Sequence, residues 1–325
     1  MGRPESAQVA ASPTSVNSSA AQAPHAAPPV ANAPAAPRFA GGTLDDAEAL
    51  RQLAQAEPLS FKPVGSTSTV FRTKLRAPLD AAFKVASHDR PQGPASEVAA
   101  YRVARCLGMD SVPPAITREM PLSRIDARLE PEAEEAWAES APRLVQRPQG
   151  IVRGAAIYWI KELRELDFGG QPARPTALKW LRDGGELPEP RRPLARSFSE
   201  LFAFDFLIAN GDRWSGGNVK GDAEGTRVWV RDHDLAFASH PPARQRELWK
   251  LVTQVERFSR GFVVRLRALD RECIERELRE DPAGASGELL SERQLVELLD
   301  RRTALLSHVD ALIAERGDAR VLAFE

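Results

Sequence analysis

The sequence predicts an α+β fold in two lobes, the first rich in strands and the second mainly helical. Three observations carry this expectation. β-branched and alternating segments cluster between residues 60 and 160 around one amphipathic helix. Beyond Ser197 the apolar residues recur at helical spacing. A polar, glycine-rich stretch, GDRWSGGNVKGDAEGTRVWVRDHD (211 to 234), interrupts that helical half with a β-rich insertion.

Residues 1 to 42 are dominated by Ala and Pro, with only Arg3, Glu5 and Arg38 charged, and read as a disordered linker. The start, MGRPESAQVAAS, shows neither a basic n-region nor an apolar h-region. Cytoplasm is therefore the default expectation, with export open if the N-terminus is incomplete. Residues 43 to 325 form the folded domain, its first lobe running to about 165 and its second from about 166. TLDDAEALRQLAQA predicts a helix capped by Thr43. SFKPVGSTSTVFRTKL (60 to 75) reads as two strands turning at Gly65, and AAFKVA (81 to 86) as a third. SEVAAYRVARCLG predicts a helix from a Ser96 cap to a Gly108 stop. Residues 121 to 140, with six acidic and two basic side chains, read as a solvated insertion, and GAAIYWI (154 to 160) as a further strand. In the second lobe SFSELFAFDFLIAN reads as a mostly buried helix, and the leucine-rich run from Leu295 to Ile313 as an amphipathic one.

Bulk properties exclude several classes. The 325-residue chain carries 44 Lys and Arg against 45 Asp and Glu, a net charge of −1, so no global field draws nucleic acid or an anionic membrane. No apolar run reaches the roughly 18 residues a membrane span needs. Cys106 and Cys273 are the only cysteines, too few for a disulfide framework or a cysteine zinc site, and Cys106 reads as packing.

The polar residues of these elements suit one chemistry. Lys84 lies in an apolar strand, where a free ammonium is costly without a partner. Glu97 stands in the first turn of the following helix and can supply that partner. Asp212 and Asn218 share the polar loop, and Asp232 ends the strand RVWV. Phosphoryl transfer from a nucleotide uses such a set: a lysine on phosphates, a helix glutamate that holds it, a carboxylate that orients the acceptor hydroxyl, and oxygen ligands for a divalent cation.

EVAAYRVARCLGMDSVPPAITREM resembles the glutamate-bearing helix and following strand of the Golgi casein kinase family (family with sequence similarity 20). ELFAFDFLIANGDRW resembles its catalytic helix and Asp-Arg loop, VWVRDHDLAF its metal-binding strand, and QVERFSRGFVVRLRAL the helices after it. Similar signatures occur in HipA and phosphatidylinositol-kinase relatives. The resemblance covers about residues 60 to 270. It implies a bilobal protein-kinase-like (atypical kinase) fold, ATP as donor and Mg²⁺ or Mn²⁺ as cofactor. It assigns Asp212 as the catalytic residue, Lys84, Glu97 and Gly65 to ATP, and Asp232, Asn218 and Asp234 to the metal. The adenine is expected near residues 154 to 160 and the IKEL that follows. Partners are then a nucleotide and an unknown hydroxyl acceptor, protein Ser/Thr or a sugar, with no nucleic acid and no membrane span.

The chain departs from the family pattern in four places. Asp212 and Asn218 are one residue further apart than in the kinase catalytic loop, with Gly216 and Gly217 available to absorb the difference. Trp214 stands where relatives carry His, and Asp234 where they carry Gly. The glycine-rich loop retains only Gly65. These motivate a pseudokinase scaffold as the alternative, beside a HipA-like toxin kinase. Taken singly, each residue also has a plain reading. Lys84 can snorkel from a sheet edge, Glu97 can answer a helix dipole, Asp212 and Asn218 can shape a turn, and Asp232, His233 and Asp234 can end a strand in solvent. Lys62 precedes the loop and is a decoy for Lys84. Arg213 is expected to pair with a carboxylate behind the loop that the sequence does not name.

Overall fold

The computed structural model describes residues 38–65, 68–215 and 217–325. Most of the linker expected over residues 1 to 42 lies outside them. Phe39 is already buried, its ring tilted against Tyr158 at 5.4 Å and Trp229 at 5.2 Å. Helix α1 (Asp46–Gln55) follows, capped by the side chain of Asp45 in place of Thr43.

The first lobe is built on an antiparallel sheet. Strands β1 (Pro58–Val64), β2 (Val70–Leu75) and β3 (Asp80–Val85) form a meander. After helix α2 (Gly93–Cys106) the chain adds β4 (Ala115–Pro121). Two short helices, α3 (Leu122–Asp126) and α4 (Glu134–Ser140), then lead to β5 (Gln146–Arg147) and β6 (Ile151–Tyr158). The strand order is β1-β2-β3-β6-β4, with β5 paired to β6. Alternation along β3 turns Phe83 and Val85 into an apolar layer with Phe61, Phe71 and Ile116, while Ala82 and Lys84 face the opposite side. Gly154 on β6 is required by this packing. A Cβ there would stand 2.6 Å from the Lys84 carbonyl oxygen and 2.7 Å from the Phe83 ring.

Two expectations need correction in this lobe. Helix α2 starts three residues earlier than Ser96, with Pro94 in its first turn. Ser96 is no cap, and its hydroxyl donates to the Ala236 carbonyl at 3.0 Å. The acidic insertion is not simply solvated: Ile125, Ala133 and Trp137 are buried, and Trp137 packs edge-on against Phe71 at 5.4 Å. Its charges coat the outer side of short helices whose apolar positions anchor them.

The second lobe is helical, as expected. It comprises α5 (Ala173–Leu181), α6 (Arg192–Leu207), α7 (Pro242–Val252), α8 (Arg260–Ala268), α9 (Arg271–Arg279), α10 (Pro282–Ala285) and α11 (Glu292–Arg316). The hairpin β7 (Lys220–Gly221) and β8 (Val228–Trp229) sits between α6 and α7. Helix α6 is buried along nearly its whole length, and α11 begins in a capping box formed by Ser291 and Gln294.

Helix α2 packs on α9, and the two are joined by a Cys106–Cys273 disulfide. Both residues are half-buried and Cys106 is bonded, so the reading of Cys106 as packing is overturned. The bond closes a sequence separation of 167 residues. Among the described residues no helix is long and apolar enough to cross a membrane.

Candidate active site

Lys84 pairs across the sheet with Val70 of β2 and Ala155 of β6, so its strand is interior and its side chain cannot snorkel from an edge. The ammonium is 7 % exposed and lies 2.6 Å from Glu97 Oε1, 2.8 Å from Asp232 Oδ1 and 3.6 Å from Asp234 Oδ2. Burial alone would lower its pKa, but three carboxylates raise it, and Lys84 stays charged. Burial raises Glu97 against the pull of Lys84. Asp232 is also pushed up by burial, yet Lys84 overrides that and holds its carboxyl at about 2. Glu97 reaches the pair because α2 begins just ahead of it, against Asp234: a Cβ on Gly93 would be 3.2 Å from the Asp234 Cβ.

Lys84, Glu97 and Asp232 line a 260 Å³ cleft under the sheet. Its apolar lining comes from Val70, Ala82, Ile157 and Leu163 and from the chain from Tyr158 to Ile160. Gly65 is at its rim with φ +85°, a conformation that favours glycine. Residues 66 and 67 lie outside the described residues.

The second group is the loop after α6. Asp212 lines a wider cavity of 840 Å³ between α5, α6 and α7, whose walls carry Arg174, Lys179, Arg182, Arg244 and Lys250. Ser215 donates to Asp212 Oδ1 at 2.6 Å, and Asn218 Nδ2 donates to the Asp212 carbonyl at 3.2 Å. The second bond closes the long Asp-to-Asn loop on itself, with Gly217 at φ +76°; Gly216 is outside the described residues. Trp214 stacks on Phe202 at 5.2 Å and on Phe198 at 6.2 Å, filling the space beneath the loop.

Asn210 joins the two groups. Its Oδ1 accepts from the Asp212 amide at 3.2 Å, and its Nδ2 donates to the Asp232 carbonyl at 3.3 Å. Asp232 itself has φ +66°, a left-handed geometry unusual for a non-glycine residue and typical of constrained sites. Behind both loops lies Arg213, 1 % exposed, whose unnamed partner is Asp205 of α6 at 2.9 and 3.1 Å. Arg213 also donates to the Arg231 carbonyl and, at 3.3 Å, to His233 Nδ1. His233 therefore carries its proton on Nε2 and donates it to the Val230 carbonyl at 3.1 Å. Burial, with Arg213 beside it, pushes this imidazole well below its ordinary pKa.

The structure thus brings Lys84, Glu97, Asp232 and Asp234 into direct contact and holds Asp212 with Asn218 in a neighbouring loop. Lys62 is exposed and 3.8 Å from Glu130, away from the cleft. Sequence reasoning missed Asp205, Asn210, Arg231 and His233. A lone Asp among the phenylalanines of α6 was the available signal, since a buried carboxylate calls for a buried cation. The donors suit a hard divalent cation: Asp232, Asp234 and the Asn218 amide offer only oxygen. Among the described residues no group of three His, Cys, Asp or Glu stands ready to hold a metal. Substrate phosphates and water complete the shell in the usual Mg²⁺ site, so one or two carboxylates suffice.

No protein-family model matches the chain, and no curated protein matches it in sequence. Solved structures do. A crystal structure of the Golgi casein kinase superposes with a TM-score of 0.67 at 14 % identity, covering 85 % of this chain and 77 % of that one. The same kinase with Mn/ADP bound gives 0.66 at 14 %, over 85 % and 78 %. Hydra Fam20 with sugar gives 0.64 at 17 %, over 86 % and 92 %. The chain has the bilobal kinase-like fold of these proteins, as the sequence resemblance implied.

Proposed function

We propose that the protein is an ATP-dependent phosphotransferase acting on a hydroxyl group. The observation that carries this reading is the Lys84 ammonium held between Glu97 and Asp232 at the polar end of the cleft. In this reading the adenine packs between Ala82 and Leu163 and takes backbone hydrogen bonds from the Tyr158–Ile160 chain. Lys84 binds the α- and β-phosphates, with Glu97 fixing its position. Asp232, Asn218 and Asp234 would hold the divalent cation, which would supply charge neutralisation for the phosphate oxygens. Asp212 orients the acceptor hydroxyl and draws its proton as the new O–P bond forms. The bond from the γ-phosphorus to the β–γ bridging oxygen breaks, and ADP leaves. The wide cavity on Asp212 admits the acceptor, a protein Ser/Thr or a sugar.

Two neighbours support the ligand classes: one is a kinase solved with Mn/ADP, the other a Fam20 solved with sugar. The Asn218 bond to the Asp212 carbonyl supports an intact loop despite its extra residue. The Cys106–Cys273 bond favours an oxidising compartment over the cytoplasm expected by default.

The test is transfer from γ-labelled ATP with Mg²⁺ or Mn²⁺, to the protein itself, to water, and to acidic protein and glycan acceptors. Wild type should turn over only with metal. Asp232→Asn should lose both turnover and metal-dependent ADP binding. Asp212→Ala should keep ADP binding and lose transfer. A wild-type protein that neither binds ADP nor hydrolyses ATP defeats the proposal.

A further inference from the structure

A second cation enters the cleft beside Lys84, and nothing so far gives it a task. Arg231 immediately precedes Asp232 and lines the same 260 Å³ space. Its Nη2 donates to the Gly217 carbonyl at 3.2 Å, and its Nη1 stands 3.8 Å from Asp232 Oδ2. Its Nε is buried and has no hydrogen-bond partner among the described residues. Arginine presents five donors in a rigid fork, so most of this guanidinium is unused. Arg213, in the loop after α6, spends all three of its nitrogens on Asp205, the Arg231 carbonyl and His233. Burial lowers the pKa of Arg231, with Arg213 adding to the effect and Asp232 opposing it.

Two neighbouring cations at the end of a cleft are stable only with anions between them. Asp232 serves both here. Once Asp232 coordinates a divalent cation, Lys84 keeps Glu97 but Arg231 is left without its carboxylate, and a planar fork suits phosphate oxygens. The β1–β2 turn, VGSTSTV, has one glycine and so lacks the repeated close-approach positions of a glycine-rich loop. We propose that Arg231 is a phosphate-binding residue, gripping the nucleotide's polyphosphate alongside Lys84. This rests on the nucleotide reading above.

The test compares adenosine, AMP and ADP, each with Mn²⁺, by calorimetric or thermal-shift titration of wild type, Arg231→Gln and Arg231→Lys. Arg231→Gln should weaken ADP about tenfold or more, one charge-assisted contact's worth, while leaving adenosine unchanged. Arg231→Lys should recover part of the loss, since it restores charge without the fork, and it replaces the glutamine variant should that fail to fold. Equal losses for adenosine and ADP would make Arg231 a wall of the cleft and overturn the inference. Unchanged ADP affinity would overturn it too. A wild type that gains nothing from phosphates on adenosine would defeat the nucleotide reading itself, and this inference with it.

Discussion

Two buried ion clusters both contact the segment from Arg231 to Asp234, and they are built differently. In the Arg213–Asp205 pair one cation meets one carboxylate in two bonds, and the remaining donors are taken by the Arg231 carbonyl and His233. All three nitrogens are engaged, and the pair is sealed. Around Lys84 a single ammonium meets three carboxylates, one of which, Asp232, is 31 % exposed at the cleft. That surplus of negative charge is ready for a cation from outside. A satisfied pair holds a scaffold; an over-supplied one is poised for a ligand. Removing one member should therefore unfold the first and inactivate the second.

The largest effect on stability is expected at Asp205→Ala. It strands the Arg213 guanidinium without a counter-charge in a site 1 % exposed to water. Breaking such a pair costs about 3–5 kcal/mol, which lowers the melting temperature on the order of 10 °C in a domain of this size. Thermal denaturation followed by circular dichroism measures it. A loss no larger than that of a surface Asp→Ala change would break the distinction drawn here.

Next is the Cys106–Cys273 bond, which ties the Glu97-bearing helix α2 to α9. Reduction, or Cys106→Ser, should cost about 2–5 kcal/mol for so long a closed segment. Dithiothreitol should shift the melting temperature of the wild type and leave the serine variant alone. Because α2 carries Glu97, the loosened form should also bind Mn-ADP less tightly, whereas the Arg213–Asp205 side of the site stays intact.

Asp232→Asn reverses the balance between stability and function. Lys84 keeps Glu97 and Asp234, and asparagine tolerates the positive φ of this position, so stability should change by less than about 1 kcal/mol. Phosphoryl transfer should fall by several orders of magnitude. A variant that melts well below wild type would place Asp232 with the scaffold.

Much of this was legible in the chain, for reasons that differ by residue. Lys84 stood out because AAFKV buries its own cation, and Glu97 because it follows at the head of a helix; the misplaced Ser96 cap did not matter, since Pro94 only moved the start. Asp232 was legible from the strand it ends. The disulfide was not, because two cysteines 167 residues apart carry no geometric information until α2 and α9 pack. The anchoring of residues 121 to 140 was hidden by charge: six acidic residues concealed the spacing of Ile125, Ala133 and Trp137. Asp205 and Arg213 are only eight residues apart, yet the loop folds back under α6 before they meet. Arg231 was hidden because a lone cation just ahead of Asp232 carries no signal in the sequence that it enters the cleft.

The smallest effect separates the two pairs by pH. His233 is 1 % exposed, receives a hydrogen bond from Arg213 on Nδ1 and donates from Nε2 to Val230. Burial disfavours the charged imidazole, and a proton on Nδ1 would also face the guanidinium directly, so its folded pKa lies well below the ordinary value of 6.5. The unfolded chain therefore binds a proton that the native state refuses. Stability is then fully present above pH of about 6.5 and declines as pH falls below it, with a slope approaching one proton. Asp232, held at about 2, does not titrate in that window; its contribution is present above the ordinary carboxylate value of 3.8 and is lost only as pH falls towards 2. Urea denaturation between pH 7.5 and 5 should show this decline in wild type. Asp232→Asn should retain it, because the Lys84 cluster is not its source. His233→Gln, which can still accept from Arg213 and donate to Val230, should flatten it at the cost of some packing on Phe204. A slope that survives in His233→Gln, or vanishes in Asp232→Asn, would assign the protons to the wrong pair.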